Sequence, residues 1–192
     1  METIDLLPGD IFLNDRPEKT GVKIVKFFMT APNWVIHLWR KIRGTQEVVR
    51  FFHPGIVSLD ITKVFEQQKY VQLSDAKKVI FDRKHIVYRR KNEHEFGIDY
   101  LLGIAKNDIG QGWGVVHALG RFATWLTGIK LFARFISMPT REVSAGRVAR
   151  WYYEAFGETF GEKHYRYVST HTIDKWCRQH PNEWEVISSK GI

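Results

Sequence analysis

His53-Pro54-Gly55-Ile56-Val57-Ser58-Leu59 is an apolar run opened by a histidine, and it begins the stretch whose reading decides the fold. Thr62–Phe65, Tyr70–Leu73, Lys78–Phe81 and His85–Tyr88 follow it, separated by Asp and other charged residues. Short runs of β-branched and aromatic residues at this spacing predict strands, and connections this short suit a small antiparallel sheet. Toward the N-terminus, Leu7-Pro8-Gly9-Asp10 is a turn signal and Ile11-Phe12-Leu13 reads as a further strand. Between them, Val22–Met29 and Trp34–Ile42 are apolar, basic and roughly helical, interrupted at Pro32. Toward the C-terminus, helices return after about Ile98. Val115, Leu119, Phe122, Leu126 and Ile129 recur at steps of four and three, the period of an amphipathic helix, with an interruption near Gly128. Val148, Trp151, Tyr152 and Ala155 predict another helix, from near Ser144 to a stop at Gly157. A last one covers Thr172–Gln179, before Pro181. The expected class is α+β, a single domain over residues 1–192 with helical insertions at approximately 20–45 and 110–136.

Composition narrows the functional classes. The chain has 192 residues, 44% hydrophobic and 26% charged, which argues against disorder and suits one domain with its own core. A single Cys excludes an intrachain disulfide framework and any multi-Cys zinc site. The charge of 29 − 21 = +8 favours anionic partners such as nucleic acid, acidic lipid head groups or wall polymers. Met1–Asp10 has acidic Glu2 and Asp5 and no long apolar core, so no signal peptide is expected. No uncharged apolar run approaches the length of a membrane span. The expected location is cytoplasmic or virion-associated.

Several familiar signatures are missing from the sequence: the P-loop, the dinucleotide fingerprint, H-E-x-x-H and G-x-S-x-G. Cys177-x-x-His180, with His171 and His164 upstream, is half of a zinc pattern without a second well-spaced pair, so no metal is expected. Basic residues interleaved with aromatics at Lys23–Arg43 fit a membrane surface or nucleic acid. No recognised nucleic-acid module accompanies them, which argues against nucleic acid as the partner.

The remaining signal is an order of short motifs: Leu7–Leu13, His53-Pro54-Gly55-Ile56-Val57, Val64-Phe65-Glu66, then Ser144-Ala145-Gly146-Arg147-Val148-Ala149-Arg150-Trp151-Tyr152. This order resembles the circularly permuted branch of the NlpC-type papain-like cysteine hydrolases, the YiiX-like group. In that family a "PGD" strand opens the domain, an "HxGI" strand supplies the catalytic His, and a "VIEA"-like strand supplies a third polar group. A later helix beginning "CSELVARAY" carries the nucleophile. Phe81–Lys91 is similar to the family's closing strand, Gly97-Ile98-Asp99-Tyr100 to its "YDY" element and Val168–Trp176 to its tail. The resemblance covers most of the chain.

The resemblance implies an antiparallel sheet of about five or six strands packed against the nucleophile helix, and hydrolysis of an amide bond, most often in peptidoglycan peptides, without a cofactor. By the same resemblance His53 is the base and Glu66 the acid that orients it, with Gln67, on the opposite face of a continuing strand, as the fallback. Backbone N–H groups at the start of the Ser144 helix would form part of an oxyanion hole. Asp10 is expected to be structural or substrate-facing.

One position departs from the pattern: aligning Val148-Ala149-Arg150 puts Ser144 where the family has its Cys, and a shift by one would put Val143 there. An engineered change, a natural serine variant and a degenerate site are all open. A Cys at a helix start beside a His is readily ionised, whereas a Ser hydroxyl needs the His as a true base during attack. The chain is therefore expected to be slow or inactive while still binding substrate. Ser also serves as an ordinary helix N-cap, and the two roles are compatible. Two alternatives remain. One is a non-catalytic component of a virion or homo-oligomeric assembly such as a phage tail, and the other is a lipid-directed acyl hydrolase or acyltransferase.

Overall fold

A computed structural model of the chain describes residues 5–15, 53–91, 95–112 and 144–191. The expected helices at Val22–Met29 and Trp34–Ile42, and the one built on Val115–Ile129, lie outside the described residues, as do nearly all of the expected insertions. The described elements are β1 (Ile11–Asn14), β2 (His53–Val57), β3 (Lys63–Gln67), β4 (Val71–Asp75) and β5 (His85–Arg90), then α1 (Glu95–Asn107), α2 (Ser144–Phe156), α3 (Thr170–Gln179) and β6 (Trp184–Lys190). The class is α+β. Among the described residues the strands form one six-stranded sheet in the order β4-β3-β2-β1-β5-β6, with every neighbouring pair antiparallel.

The register sorts side chains onto two faces, because successive residues of a strand point to opposite sides. Ile11 pairs with Ile56 and with Tyr88; one residue on, Phe12 pairs with Gly55 and with Val87. Ile11, Leu13, Ile56, Phe65, Ile86 and Tyr88 face the larger core, which they share with Leu101 of α1, Val148, Trp151 and Tyr152 of α2, and Ile173 and Cys177 of α3. Phe12, Val57, Val64 and Val87 face the other way, against Leu6, Ala76, Val79 and Ile80. Gly55 is required by this second core: a Cβ there would lie 2.4 Å from the Phe12 ring and 2.4 Å from the carbonyl oxygen of Phe65.

One expectation is corrected and one strand is added. Lys77–Phe81 forms a π-helical turn rather than a strand over Lys78–Phe81. Its two buried residues, Val79 and Ile80, are adjacent in sequence, and a turn can bring both onto the smaller core, whereas a strand would point them to opposite sides. The strand β6 was not expected at all. It lies at the sheet edge and buries little beyond Trp184, so its sequence carries no alternating signal.

The opening turn has a mechanical role. Gly9 adopts φ 88°, a conformation that favours glycine. The Asp10 carboxylate accepts the Leu7 N–H at 2.8 Å and takes the Arg89 guanidinium on both oxygens, at 2.9 Å each. This ties the turn to β5. No described helix is long and apolar enough to cross a membrane.

Candidate functional site

His53 begins β2 and Glu66 lies near the end of β3, where it pairs with Gly55. Positions 53, 55 and 57 share a face, so the side chains of His53 and Glu66 come together on the smaller-core side of the sheet. His53 Nε2 is 2.8 Å from Glu66 Oε2, and both side chains are fully buried. The second carboxylate oxygen, Oε1, accepts from Ser74 Oγ at 2.6 Å, Gln68 Nε2 at 2.6 Å and Gln72 Nε2 at 3.3 Å.

This environment decides the charge of the carboxyl. Burial alone pushes Glu66 up, but the His53 bond and charge, followed by Ser74 and Gln68, outweigh it and hold the group down at about 2. An ionised carboxylate can only accept, so the hydrogen between the two groups sits on Nε2. In the neutral form of the imidazole the lone pair then lies on Nδ1, which is buried and has no hydrogen-bond partner among the described residues. The contrast with His85, on the same face, is informative. His85 has both ring nitrogens engaged, Nδ1 with the Arg83 carbonyl and Nε2 with Ser188 Oγ, at 3.0 Å each. His85 is a structural strand histidine; His53 is oriented by an acid and leaves a basic nitrogen unused.

Ser144 is the first residue of α2 and is buried. Several contacts fix how α2 lies over the sheet. Its second half covers the Val57 end of β2: the Trp151 ring meets Phe65 edge-on at 6.5 Å, and the Tyr152 hydroxyl donates to the carbonyl of Gly9, whose N–H bonds Val57. Its first turn reaches the opposite end, where Arg147 and Gln67 both donate to the Gly112 carbonyl, at 3.4 and 3.2 Å. Ser144 therefore stands at the His53 end of the sheet. The helix, however, packs on the larger-core face, across the sheet from the His53–Glu66 pair. No hydrogen bond joins Ser144 to His53.

The other expected site residues fall as follows. Gln67 points away from His53, as strand alternation requires, and bonds Gly112. Asp10 is structural, holding the opening turn and Arg89. Cys177 is buried in the larger core, while His180 stacks on Trp176 and donates from Nδ1 to its carbonyl. Among the described residues no cluster of His, Cys, Asp and Glu could hold a metal.

Sequence reasoning missed Ser74, Gln68 and Gln72. Their signal was available in part: Gln68 is two residues past Glu66, and pairing β3 with the next strand places Gln72 opposite it. It also missed Asp108, at the end of α1, which accepts from Arg147 at 3.0 Å, from Trp151 at 2.8 Å and from Arg150. Comparison with protein-family models, with curated proteins and with solved structures returns no match.

Proposed function

We propose that the chain is a hydrolase-fold protein of the permuted NlpC-type, papain-like kind, built to cleave an amide bond, with peptidoglycan peptides as the substrate class. The observation that carries this reading is the His53–Glu66 pair, in which a buried carboxylate fixes the imidazole and leaves Nδ1 bare. Position 144 is the nucleophile seat. His53 Nδ1 would take the proton of the group at 144 as that group attacks the substrate carbonyl. The imidazolium would then protonate the leaving amine, and water would release the acyl-enzyme by the reverse proton path. Backbone N–H groups at the start of α2 are suited to the developing oxyanion. With Ser rather than Cys at 144, the resting nucleophile stays protonated and the reaction is slow or absent.

A second reading, a non-catalytic component of an assembly, is favoured by one specific observation. The pair is fully buried and lies across the sheet from α2. For His53 to serve position 144, the two must meet around the end of the sheet where β2 and α2 both begin.

The test compares the chain as given with Ser144→Cys, and with Ser144→Cys carrying His53→Ala, on purified peptidoglycan and on a thiol-reactive acyl probe. Gain of cleavage or labelling that disappears without His53 is the expected result. If Ser144→Cys stays inert to both, the hydrolase reading fails and the assembly reading stands. Co-sedimentation with lipid vesicles separates a lipid-directed acyl hydrolase, which would pellet, from a wall hydrolase, which would not.

A further inference from the structure

The orientation of Glu66 is itself maintained by neighbours that lie outside any catalytic role. Oε1 receives hydrogen bonds from Ser74 Oγ and Gln68 Nε2 at 2.6 Å each and from Gln72 Nε2 at 3.3 Å, while Oε2 meets His53 Nε2 at 2.8 Å. Gln72 Nε2 also donates to Ser74 Oγ at 2.9 Å, so the serine hydroxyl hydrogen is committed to Glu66. The donors come from one face of the β3–β4 hairpin: Glu66 pairs with Gln72, and Ser74 is two residues further along β4. All three are neutral groups donating to a carboxylate, which favours its ionised form.

We infer that Ser74, Gln68 and Gln72 are positioning residues that decide which nitrogen of His53 carries the hydrogen. The chemistry runs through the carboxyl group. A carboxyl torsion is broad and roughly two-fold, so an unsupported Glu66 could swing off the imidazole. A Glu66 that gained a proton would present an O–H as well as an acceptor, and Nε2–H would lose its advantage. The hydrogen could then move to Nδ1, which removes the lone pair from the nitrogen left bare. The cradle therefore keeps Nδ1 basic, and its importance for catalysis rests on the reading of His53 as the base.

The experiment reads the imidazole directly. The full chain, labelled with 15N-histidine, is followed by NMR from about pH 4 to about pH 8, with His53 assigned by its loss in His53→Gln. The expected spectrum is that of the Nε2–H tautomer wherever the imidazole is neutral. Ser74→Ala should shift the tautomer ratio by about tenfold, the effect of losing one hydrogen bond to a charged group, and Ser74→Thr should restore it. Gln68→Ala, which leaves β4 untouched, should move the ratio in the same direction. A folded Ser74→Ala or Gln68→Ala whose His53 signals superpose on those of the parent chain overturns the inference. The readout is independent of turnover. An inert Ser144→Cys would end the hydrolase reading without touching this result, and an unmoved tautomer would end this inference without touching that reading.

Discussion

Glu66 is the residue on which the site depends, and its ionisation makes a measurable contribution to stability. Its folded-state value of about 2 lies below its ordinary value of 4.5, so the stabilisation is complete above the ordinary value. It is lost as the pH falls toward the folded value, where both folded and unfolded chains hold the proton. Denaturant unfolding from about pH 7 down to about pH 2 should therefore show Glu66→Gln less stable than the parent at neutral pH, by on the order of 2 kcal/mol. The two curves should converge at the acid end. A constant gap across that range would mean that the substitution acts through packing rather than charge. Histidine and acid were both legible in the sequence from motif order alone. The cradle around Oε1 was legible only in part, because it depends on the strand register, and the expected strand Tyr70–Leu73 stops one residue short of Ser74.

At the scale of elements, a carboxylate just past the end of α1 bonds residues in the first two turns of α2. Asp108 accepts from Arg147 and Trp151 and is ion-paired with Arg150 as well. Arg147 is fully buried. Removing Asp108 takes away the carboxylate that Arg147 pairs with among the described residues, and breaking a buried ion pair typically costs about 3–5 kcal/mol. Asp108→Ala should lower the unfolding midpoint by that order, while Arg150→Ala, at a partly exposed position, should cost clearly less. Equal losses would mean that α2 is not anchored through Arg147. The helix itself was legible: Val148, Trp151, Tyr152 and Ala155 have helical spacing, and Gly157, at φ 70°, lies just past its end. The turn at Lys77–Phe81 was misread because two adjacent apolar residues have no period. An apolar run of that length is equally compatible with a strand and with a turn.

At the scale of the whole molecule, the question is how the two faces of the sheet are connected. His53 and Ile56 are three residues apart, so strand alternation alone puts them on opposite faces. That much arithmetic is present in the sequence. The face that α2 would choose is not, because it follows from which side offers Ile11, Ile56, Phe65 and Tyr88 to Val148, Trp151 and Tyr152. Motif order therefore singled out His53, Glu66 and Ser144 without giving their sides. The molecule brings the start of α2 and the start of β2 to one end of the sheet, and the proposed chemistry requires that the two meet there.

The rate of alkylation of Ser144→Cys by a small haloacetamide, followed against pH with and without His53→Ala, tests that meeting most directly. The site of modification is read by mass spectrometry. Cys177 is a weak competitor, since burial pushes its thiol well above the ordinary range. A thiol at a helix start beside an imidazole should ionise at least about one unit below the ordinary value of about 8.5 and return toward it when His53 is removed. A single titration at or above about 8.5, the same with and without His53, would contradict the account.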